Sequence, residues 1–162
     1  MVILGLDPGL NHFGFGVVDA TSVLRAKAWG EIRISPKLAF EEKLSVIRGK
    51  FAGLLDEYSP AVAAIEKIYL ARNTQIALNI GIVTGIMAGA ALERGMKVSF
   101  LAPGEIKKLV TGIGSAQKEQ VNFMVQKLLA LKEVPSLDAS DALAAAIGYF
   151  ANRRFEERIG AA

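Results

Sequence analysis

The length, composition and charge of the chain limit the kinds of protein it can be. Its 162 residues suffice for one domain with a hydrophobic core, and 52% apolar against 22% charged residues indicates a globular protein. The absence of cysteine excludes a disulfide framework and thiolate metal sites. A net charge of +3 is only weak support for a nucleic-acid partner. Because the first apolar run is short and follows no basic region, we expect a cytoplasmic protein without a signal peptide.

The beginning of the chain has the pattern of three short strands. The apolar run of residues 1–6 predicts a buried strand that ends at Asp7, and a Pro-Gly pair then turns the chain. Residues 13–18 and 24–34 predict two further strands. Because the breaks between these segments are short, we expect the three strands to form an antiparallel meander.

Helices and strands alternate after this meander. Ser35 and Pro36 are typical of an N-cap and a first helical position, so they predict the start of a long helix. Residues 61–65 predict a short strand that ends at Glu66, and residues 97–101 predict another. This order predicts a mixed sheet that is antiparallel at one side and connected by right-handed crossovers at the other.

Residues 74–92 form a long apolar stretch without a charged side chain. Its length would fit a transmembrane helix, but polar residues and three glycines interrupt it, so we favour a buried helix and expect no membrane. Gly81, Gly85 and Gly89 lie four residues apart and share one face of that helix. Close approach of a second helix, either within the domain or across a dimer, would offset the unfavourable effect of glycine on helix stability.

The last part of the chain predicts three helices, beginning near Pro103, at Ser115 as an N-cap, and at Asp138. The region that contains the first two is rich in lysine. These side chains either contact phosphates or form an ordinary solvated helix face. They are Lys107, Lys108, Lys118, Lys127 and Lys132.

Four carboxylates are candidates for a common site. Asp7 and Glu66 both end apolar strands, and adjacent parallel strands end at the same edge of a sheet. Asp138 and Asp141 are three residues apart and share a helix face. If all four converge, they need a cation, and oxygen ligands alone favour Mg²⁺ or Mn²⁺. Two such ions about 4 Å apart would stabilise the attacking and leaving oxygens in phosphodiester hydrolysis.

Each carboxylate could also have an ordinary structural role. Asp7 is a common residue type before a turn, and Glu66 could be a surface charge at a strand end. Asp138 and Asp141 are favoured at a helix N-terminus by the helix dipole. Spacing alone leaves these alternatives open.

Four segments, in the same order and spread over nearly the whole chain, resemble the RuvC family of bacterial Holliday-junction resolvases. They are Gly5-Leu-Asp-Pro-Gly9 with Gly14-Phe-Gly-Val17, Ala64-Ile-Glu-Lys-Ile-Tyr69 with Ala71-Arg-Asn73, Val110-Thr-Gly-Ile-Gly-Ser-Ala-Gln-Lys118, and Asp138-Ala-Ser-Asp-Ala-Leu-Ala144. The first segment alone would be weak, but the four together are highly specific.

The resemblance implies an α/β, ribonuclease-H-like fold. We therefore expect residues 1–162 to form a single nuclease domain, with a mixed five-stranded sheet and helices on both faces. It also implies a homodimer that nicks two strands of like polarity in a four-way DNA junction, with Mg²⁺ as cofactor, during homologous recombination and DNA repair. The family works beside the RuvA–RuvB branch-migration machinery.

The resemblance also assigns roles to individual residues. Asp7, Glu66, Asp138 and Asp141 match the acidic metal ligands of the family, and Asp138 stands where some members carry histidine. Lys107 and Lys118 match basic residues that serve DNA handling and catalysis, and Tyr69 matches an aromatic position that can stack on opened bases. The residues predicted to bind DNA are Tyr69, Arg72, Asn73, Lys107, Lys108 and Lys118.

Two other functions are compatible with parts of the sequence. An opening Asp-x-Gly hairpin also occurs in ATPases of the actin and sugar-kinase type, but those need two such domains. A junction-binding module without catalysis would have no reason to gather carboxylates near phosphates. We expect His12, the only histidine, to be a turn residue rather than a catalytic base.

Overall fold

A central mixed sheet organises the protein. The computed structural model describes residues 1–67 and 73–160, and its five strands lie in the order β3-β2-β1-β4-β5. Strand β1 pairs antiparallel with β2, which pairs antiparallel with β3, whereas β1, β4 and β5 are parallel neighbours. The predicted meander and the parallel side with its crossover connections are thus confirmed, and the right-handed sense of the crossovers stays a prediction. The strands are β1 (Val2–Asp7), β2 (His12–Asp19), β3 (Arg25–Arg33), β4 (Val62–Glu66) and β5 (Lys97–Leu101).

Helices cover both faces of this sheet, as the predicted fold class requires. Because side chains alternate along a strand, Ile3 joins one hydrophobic cluster and its neighbour Leu4 joins the other. Helices α3, α4 and α5 pack into the first cluster, and α1 and α2 into the second. The helices are α1 (Phe40–Tyr58), α2 (Thr74–Glu93), α3 (Pro103–Thr111), α4 (Lys118–Leu129) and α5 (Leu137–Arg158).

The predicted start of α1 at Ser35 and Pro36 is wrong. The amide of Lys37 donates to Ser35 Oγ at 3.4 Å, so these residues form a turn ahead of the helix. The N-cap is Ala39, whose amide donates to Glu42 Oε2 at 2.8 Å. A glutamate three residues into the helix therefore decides the start, and the preceding Ser-Pro pair does not.

The start of α4 also differs from the prediction. Ser115 precedes the helix, and Gln117 is the N-cap. The amide of Gln117 donates to Gln120 Oε1 at 2.8 Å, which is again a side chain of the first turn reaching back to the cap.

Helix α5 lies directly on β1 and β2 because glycines in those strands leave room for it. A Cβ atom on Gly5 would overlap the backbone carbonyl of Ala142, and one on Gly14 would overlap the carbonyl of Asp138. These two glycines allow the helix backbone to contact the sheet. The first turn of α5 is thereby held over the carboxyl end of β1.

Helix α2 is less buried than expected. Val83, Met87 and the C-terminal alanines pack into the core, but Leu78 and Ile82 are exposed. Apart from the adjoining turns of α2 itself, no atom of the described residues would lie within 4 Å of a Cβ on Gly81, Gly85 or Gly89. No other helix of that part of the chain therefore packs on this face. By length and composition alone α2 could cross a membrane. A single helix of this kind is weak support for a membrane protein.

Candidate active site at the carboxyl ends of β1 and β4

Three of the four predicted carboxylates meet at one edge of the sheet. Asp7 is the last residue of β1 and Glu66 is the last of β4. Because Leu6 pairs with Ile65 in the parallel register, both strands end at the same level. Asp141 comes from the first turns of α5, and a carboxylate oxygen from each of the three acids lies within 4.8 Å of the others.

Asp138 differs from the expected four-carboxylate convergence. Its Oδ2 lies 3.2 Å from His12 Nε2, and it groups with His12 and Glu31 instead of with the three other acids. Residues three apart on an α-helix are about 60° apart around its axis, so they share a face without pointing in the same direction. Asp138 lies over Gly14 of β2, whereas Asp141 reaches the ends of β1 and β4.

Burial and like charge act together on the two strand-end acids. Burial raises the pKa of Asp7 to about 7, and the neighbouring Asp141 and Asp138 contribute to that rise. Burial likewise raises the pKa of Glu66 to about 7, with Asp7 and Asp141 as additional causes. Ionised acids this close repel one another, and a divalent cation would relieve that repulsion. Because every donor is a carboxylate oxygen, the residues fit an ion that prefers oxygen ligands, and they could hold a metal.

Lysines partly balance this negative charge. Lys118 Nζ donates to Asp141 Oδ2 at 3.0 Å, and this hydrogen bond raises the pKa of Lys118. The positive charge of Lys118 lowers the pKa of both Asp7 and Glu66, and Lys107 acts on Glu66 in the same direction. The structure therefore places both lysines beside the acids, and their roles in DNA handling and catalysis stay predictions from the resemblance.

The acids open into a cleft of about 360 Å³. Lys107, Lys118 and Lys67 line it, so a negatively charged backbone would meet three cations there. Lys67 was not predicted from the sequence, although its position directly after Glu66 at the strand end was a usable signal. A second cleft of about 320 Å³ adjoins the first at Asp7 and includes His12.

The comparison with protein families agrees with this site. The family model described as "Crossover junction endodeoxyribonuclease RuvC" matches residues 3–149, which is most of the chain. The chain belongs to the RuvC family. The family expected from the sequence motifs, and with it the nuclease activity that resolves crossover junctions, is confirmed.

Curated RuvC relatives share much of the sequence. The chain is 40% identical over 148 residues to crossover junction endodeoxyribonuclease RuvC from Leifsonia xyli subsp. xyli, an alignment that covers 90% of this chain and 71% of that protein. It is 42% identical over 160 residues to the protein of the same name from Bordetella avium, covering 98% of this chain and 88% of the relative.

Solved RuvC structures share the fold. The Thermus thermophilus RuvC structure superposes with a TM-score of 0.83 at 31% identity, covering 99% of this chain and 98% of that one. T. thermophilus RuvC in complex with Holliday junction substrate gives a TM-score of 0.85 at 31% identity, covering 99% and 97%. The ribonuclease-H-like fold class is therefore confirmed.

The predicted DNA contacts of this RuvC family member have different outcomes. Tyr69 and Arg72 lie outside the described residues, so their roles stay predictions. Asn73 is the N-cap of α2, where its Oδ1 accepts from the amides of Gln75 and Ile76 at 3.0 and 3.3 Å.

Two further residues lie elsewhere than their predicted roles suggested. Lys108 is exposed on α3 and does not line the cleft beside Lys107. His12 is the first residue of β2 rather than a turn residue, because the strand begins earlier than its apolar pattern indicates.

Proposed function

We propose that this chain resolves four-way DNA junctions by metal-dependent hydrolysis of one phosphodiester in each of two strands of like polarity. The observation that carries the proposal is the meeting of Asp7, Glu66 and Asp141, from three separate segments, in a cleft lined by lysines. A related RuvC with Holliday junction substrate supports the choice of DNA.

The acidic residues would hold the metal for this hydrolysis. Asp7, Glu66 and Asp141 offer only oxygen ligands, which suit Mg²⁺, with Mn²⁺ able to substitute. Asp138 is the predicted fourth ligand from the first turn of α5. A pair of bound Mg²⁺ ions supplies stabilisation of the charge on the attacking and leaving oxygens. Because two of the acids end sheet strands, their backbone is fixed before DNA arrives.

The lysines of the cleft would bind the junction backbone. Lys107 and Lys118 lie beside the acids, and Lys67 extends the positive surface past the end of β4. Each lysine that contacts a phosphate releases condensed counterions, so junction affinity should fall as salt rises. Lys118 also offsets the charge of Asp141 before DNA arrives.

We also propose that the protein works as a homodimer through α2. Two cuts in one junction need two active sites. Each chain supplies one such site, formed by the three acids in the cleft. One stripe of apolar and small residues runs along α2, because its members are spaced three or four positions apart. They are Leu78, Ile82, Gly85, Gly89 and Leu92. Small residues in its middle let a second helix approach closely. Association with RuvA–RuvB stays a prediction from the family resemblance.

The test of the catalytic assignment is the Asp7→Asn variant on a labelled synthetic four-way junction, with linear duplex DNA as substrate control. We expect the variant to bind the junction and to lose cleavage in Mg²⁺, because it keeps the shape of Asp7 and removes its charge. A loss of at least about 100-fold is expected for removal of an ionic ligand at the reacting centre.

Asp19→Asn is the matched control, since Asp19 ends β2 at the opposite edge of the sheet. There its carboxylate accepts a hydrogen bond from the hydroxyl of Thr21. It should cleave as the unchanged protein does. Normal nicking by Asp7→Asn in Mg²⁺ would contradict the catalytic role of the cluster. Junction binding without any metal-dependent cleavage by the unchanged protein would favour the non-catalytic module instead.

A further inference from the structure

A buried lysine lies close to the active site, and the proposed function does not use it. Lys43 of α1 is only 9% exposed, whereas Lys50 of the same helix lies in solvent. An ammonium group loses its hydration when it is buried, so a lysine at such a position normally has a polar partner. Among the residues that the structure describes, the partner of Lys43 Nζ is Asn11 Oδ1, at 2.7 Å. The buried cation therefore holds one side chain of the turn between β1 and β2.

This turn connects Asp7 of the active site to β2. It is tight, since a Cβ atom on Gly9 would overlap the carbonyl of His12. The amide of Ile34 donates to the carbonyl of Asn11 at 2.8 Å, so the backbone of the turn is already held by the segment after β3. Lys43 is thus not needed to fix the main chain of Asn11, and its contact sets the orientation of the side chain.

The contact with Lys43 decides which end of the Asn11 amide stays free. An ammonium group only donates hydrogen bonds, so the atom that faces it must be the amide oxygen. The nitrogen Nδ2 carries two hydrogens and is left to donate to another molecule. Asn11 is exposed and lines the cleft of about 320 Å³ that adjoins the acidic site at Asp7. Without Lys43, a flipped amide would present its oxygen to this cleft instead.

The adjoining cleft suits an uncharged part of a DNA strand. Its lining includes the apolar side chains of Ile76 and Ile80, and none of the described residues around it is a lysine or an arginine. The lysines line the other cleft, which shares Asp7 with this one. When the scissile phosphate lies at the acids, the lysines therefore favour the flanking phosphates, and a neighbouring base or sugar can enter the adjoining cleft.

We propose that Asn11 binds the strand being cut, by donating from Nδ2 to an acceptor on the base or sugar next to the scissile phosphate, and that Lys43 is the positioning residue that orients this amide. The inference rests on the proposed function, because its ligand is the DNA strand at the acidic site. The contact aligns the reacting phosphodiester, so it acts mainly on the rate of cleavage. Junction affinity comes mainly from the lysines of the other cleft.

The first test separates the rate of cleavage from affinity. Single-turnover cleavage of a labelled four-way junction is measured at saturating protein in Mg²⁺, and affinity is measured without metal by gel shift. Lys43→Met keeps an unbranched apolar side chain and removes the donor, so we expect the cleavage rate constant to fall about fivefold or more. Lys50→Met is the matched control, because it removes the same charge from the exposed side of the same helix. Both variants should keep similar junction affinity, and only Lys43→Met should cleave slowly.

A double-mutant cycle shows whether Lys43 acts through Asn11. Asn11→Ala should slow cleavage at least as much as Lys43→Met, and the double variant should be no slower than Asn11→Ala alone. Asn11→Asp keeps an acceptor for Lys43 but has no hydrogen to donate. It should therefore retain the thermal stability of the unchanged protein and still cleave slowly at saturation, which a purely structural role of Asn11 would not produce.

The side-chain amide of Asn11 gives a readout that does not depend on cleavage. Its NMR resonances are assigned by their absence in Asn11→Ala, and we expect them to shift when the metal-free protein binds the junction. A junction that lacks the base next to the cut distinguishes the two acceptors. Loss of the shift on this junction would place the acceptor on the base, and a retained shift would place it on the sugar.

Three results would overturn the proposal. They are an unchanged cleavage rate in Lys43→Met, additive losses in the double variant, and Asn11 amide resonances that stay in place when the intact junction binds. A failure of the proposed function would look different, because the unchanged protein would then not cleave the junction at all. The amide resonances would still report whether Asn11 contacts the bound DNA.

Discussion

Glycines occur on two surfaces of this protein, and they serve different contacts. In β1 and β2, Gly5 and Gly14 let the backbone of α5 touch the sheet, so a single added methyl group would collide with a carbonyl oxygen. On α2, Gly81 and Gly85 face open space in the part of the chain that the structure describes. The first pair completes the fold within one chain, and the second leaves a surface for another molecule.

The difference explains where the catalytic geometry comes from. Asp141 reaches Asp7 only because α5 lies close on β1, and Gly5 together with Gly14 sets that distance. Nothing comparable among the described residues fixes the exposed face of α2, which is held only through its buried side. The region that carries the chemistry is therefore rigidly packed, and the region proposed for association is incomplete by itself.

The largest expected effect comes from making the same substitution on both surfaces. Gly5→Ala should destabilise the protein by at least about 3 kcal/mol, the upper end of the usual range for overpacking, because the colliding atoms are backbone. Gly81→Ala should instead stabilise it by up to about 1 kcal/mol through helix propensity. Thermal unfolding measures both, at about 2–4 °C per kcal/mol for a chain of this size. A Gly5→Ala variant as stable as the unchanged protein would contradict the tight α5 contact.

The next effect concerns association. Gly85→Leu should shift the protein from dimer to monomer in light scattering, because a large side chain in the middle of the stripe separates the two helices. We expect the dimer dissociation constant to rise at least about tenfold, equivalent to about 1.4 kcal/mol. Gly49→Leu is the matched control, since Gly49 is also an exposed helical glycine with no described atom near its Cβ position. An unchanged dimer mass in Gly85→Leu would exclude this face as the interface.

Local sequence patterns predicted the strands of the sheet well, because short apolar runs bounded by turn residues indicate buried strands. The apolar runs before Asp7 and Glu66 predicted buried strands, and the structure pairs these two strands in parallel. Helix starts were harder. Ser35 and Pro36 have the residue types of an N-cap and first turn, but Glu42 bonds the amide of Ala39 and fixes a later start.

The candidate site was predictable in its residues and less so in its arrangement. The strand ends and the helix spacing made Asp7, Glu66, Asp138 and Asp141 candidates, and the resemblance to the RuvC family singled them out. Asp138 lies next to His12 because of contacts between α5 and β2. The spacing of residues along α5 alone could not predict this contact. The exposure of the glycine stripe on α2 was likewise undecided, because a glycine pattern does not say whether the approaching helix belongs to the same chain.

A smaller effect is expected from the charges beneath the tightly packed α5. In the folded protein the pKa of Asp7 is about 7, above its usual 3.8, so its ionisation opposes folding once pH rises through that range. The stability contribution is present below about pH 4 and is lost as pH approaches 7. Without metal, Asp7→Asn should therefore gain stability relative to the unchanged protein between about pH 5 and pH 8, measured by urea unfolding at each pH.

Added Mg²⁺ sharpens this measurement. Because the ion binds ionised carboxylates, Mg²⁺ should stabilise the unchanged protein more at about pH 8 than at about pH 5, and Asp7→Asn less at either pH. Lys118→Met should move the onset of Mg²⁺ stabilisation to higher pH, since the Lys118 charge lowers the pKa of Asp7 and Glu66. A Mg²⁺ effect that is the same at both pH values would contradict the raised pKa values.

The smallest expected effect concerns the start of α2. Asn73 caps this helix through one side-chain oxygen, and Asn73→Ala should lower the free energy of unfolding by about 1 kcal/mol. Asn73→Ser keeps an acceptor oxygen and removes the amide group, so it should retain the stability of the unchanged protein. If capping is the only role of Asn73, the serine variant should also retain junction affinity in a gel-shift titration. Weaker junction binding at unchanged stability would instead support the predicted DNA contact, because only the lost amide distinguishes the two proteins.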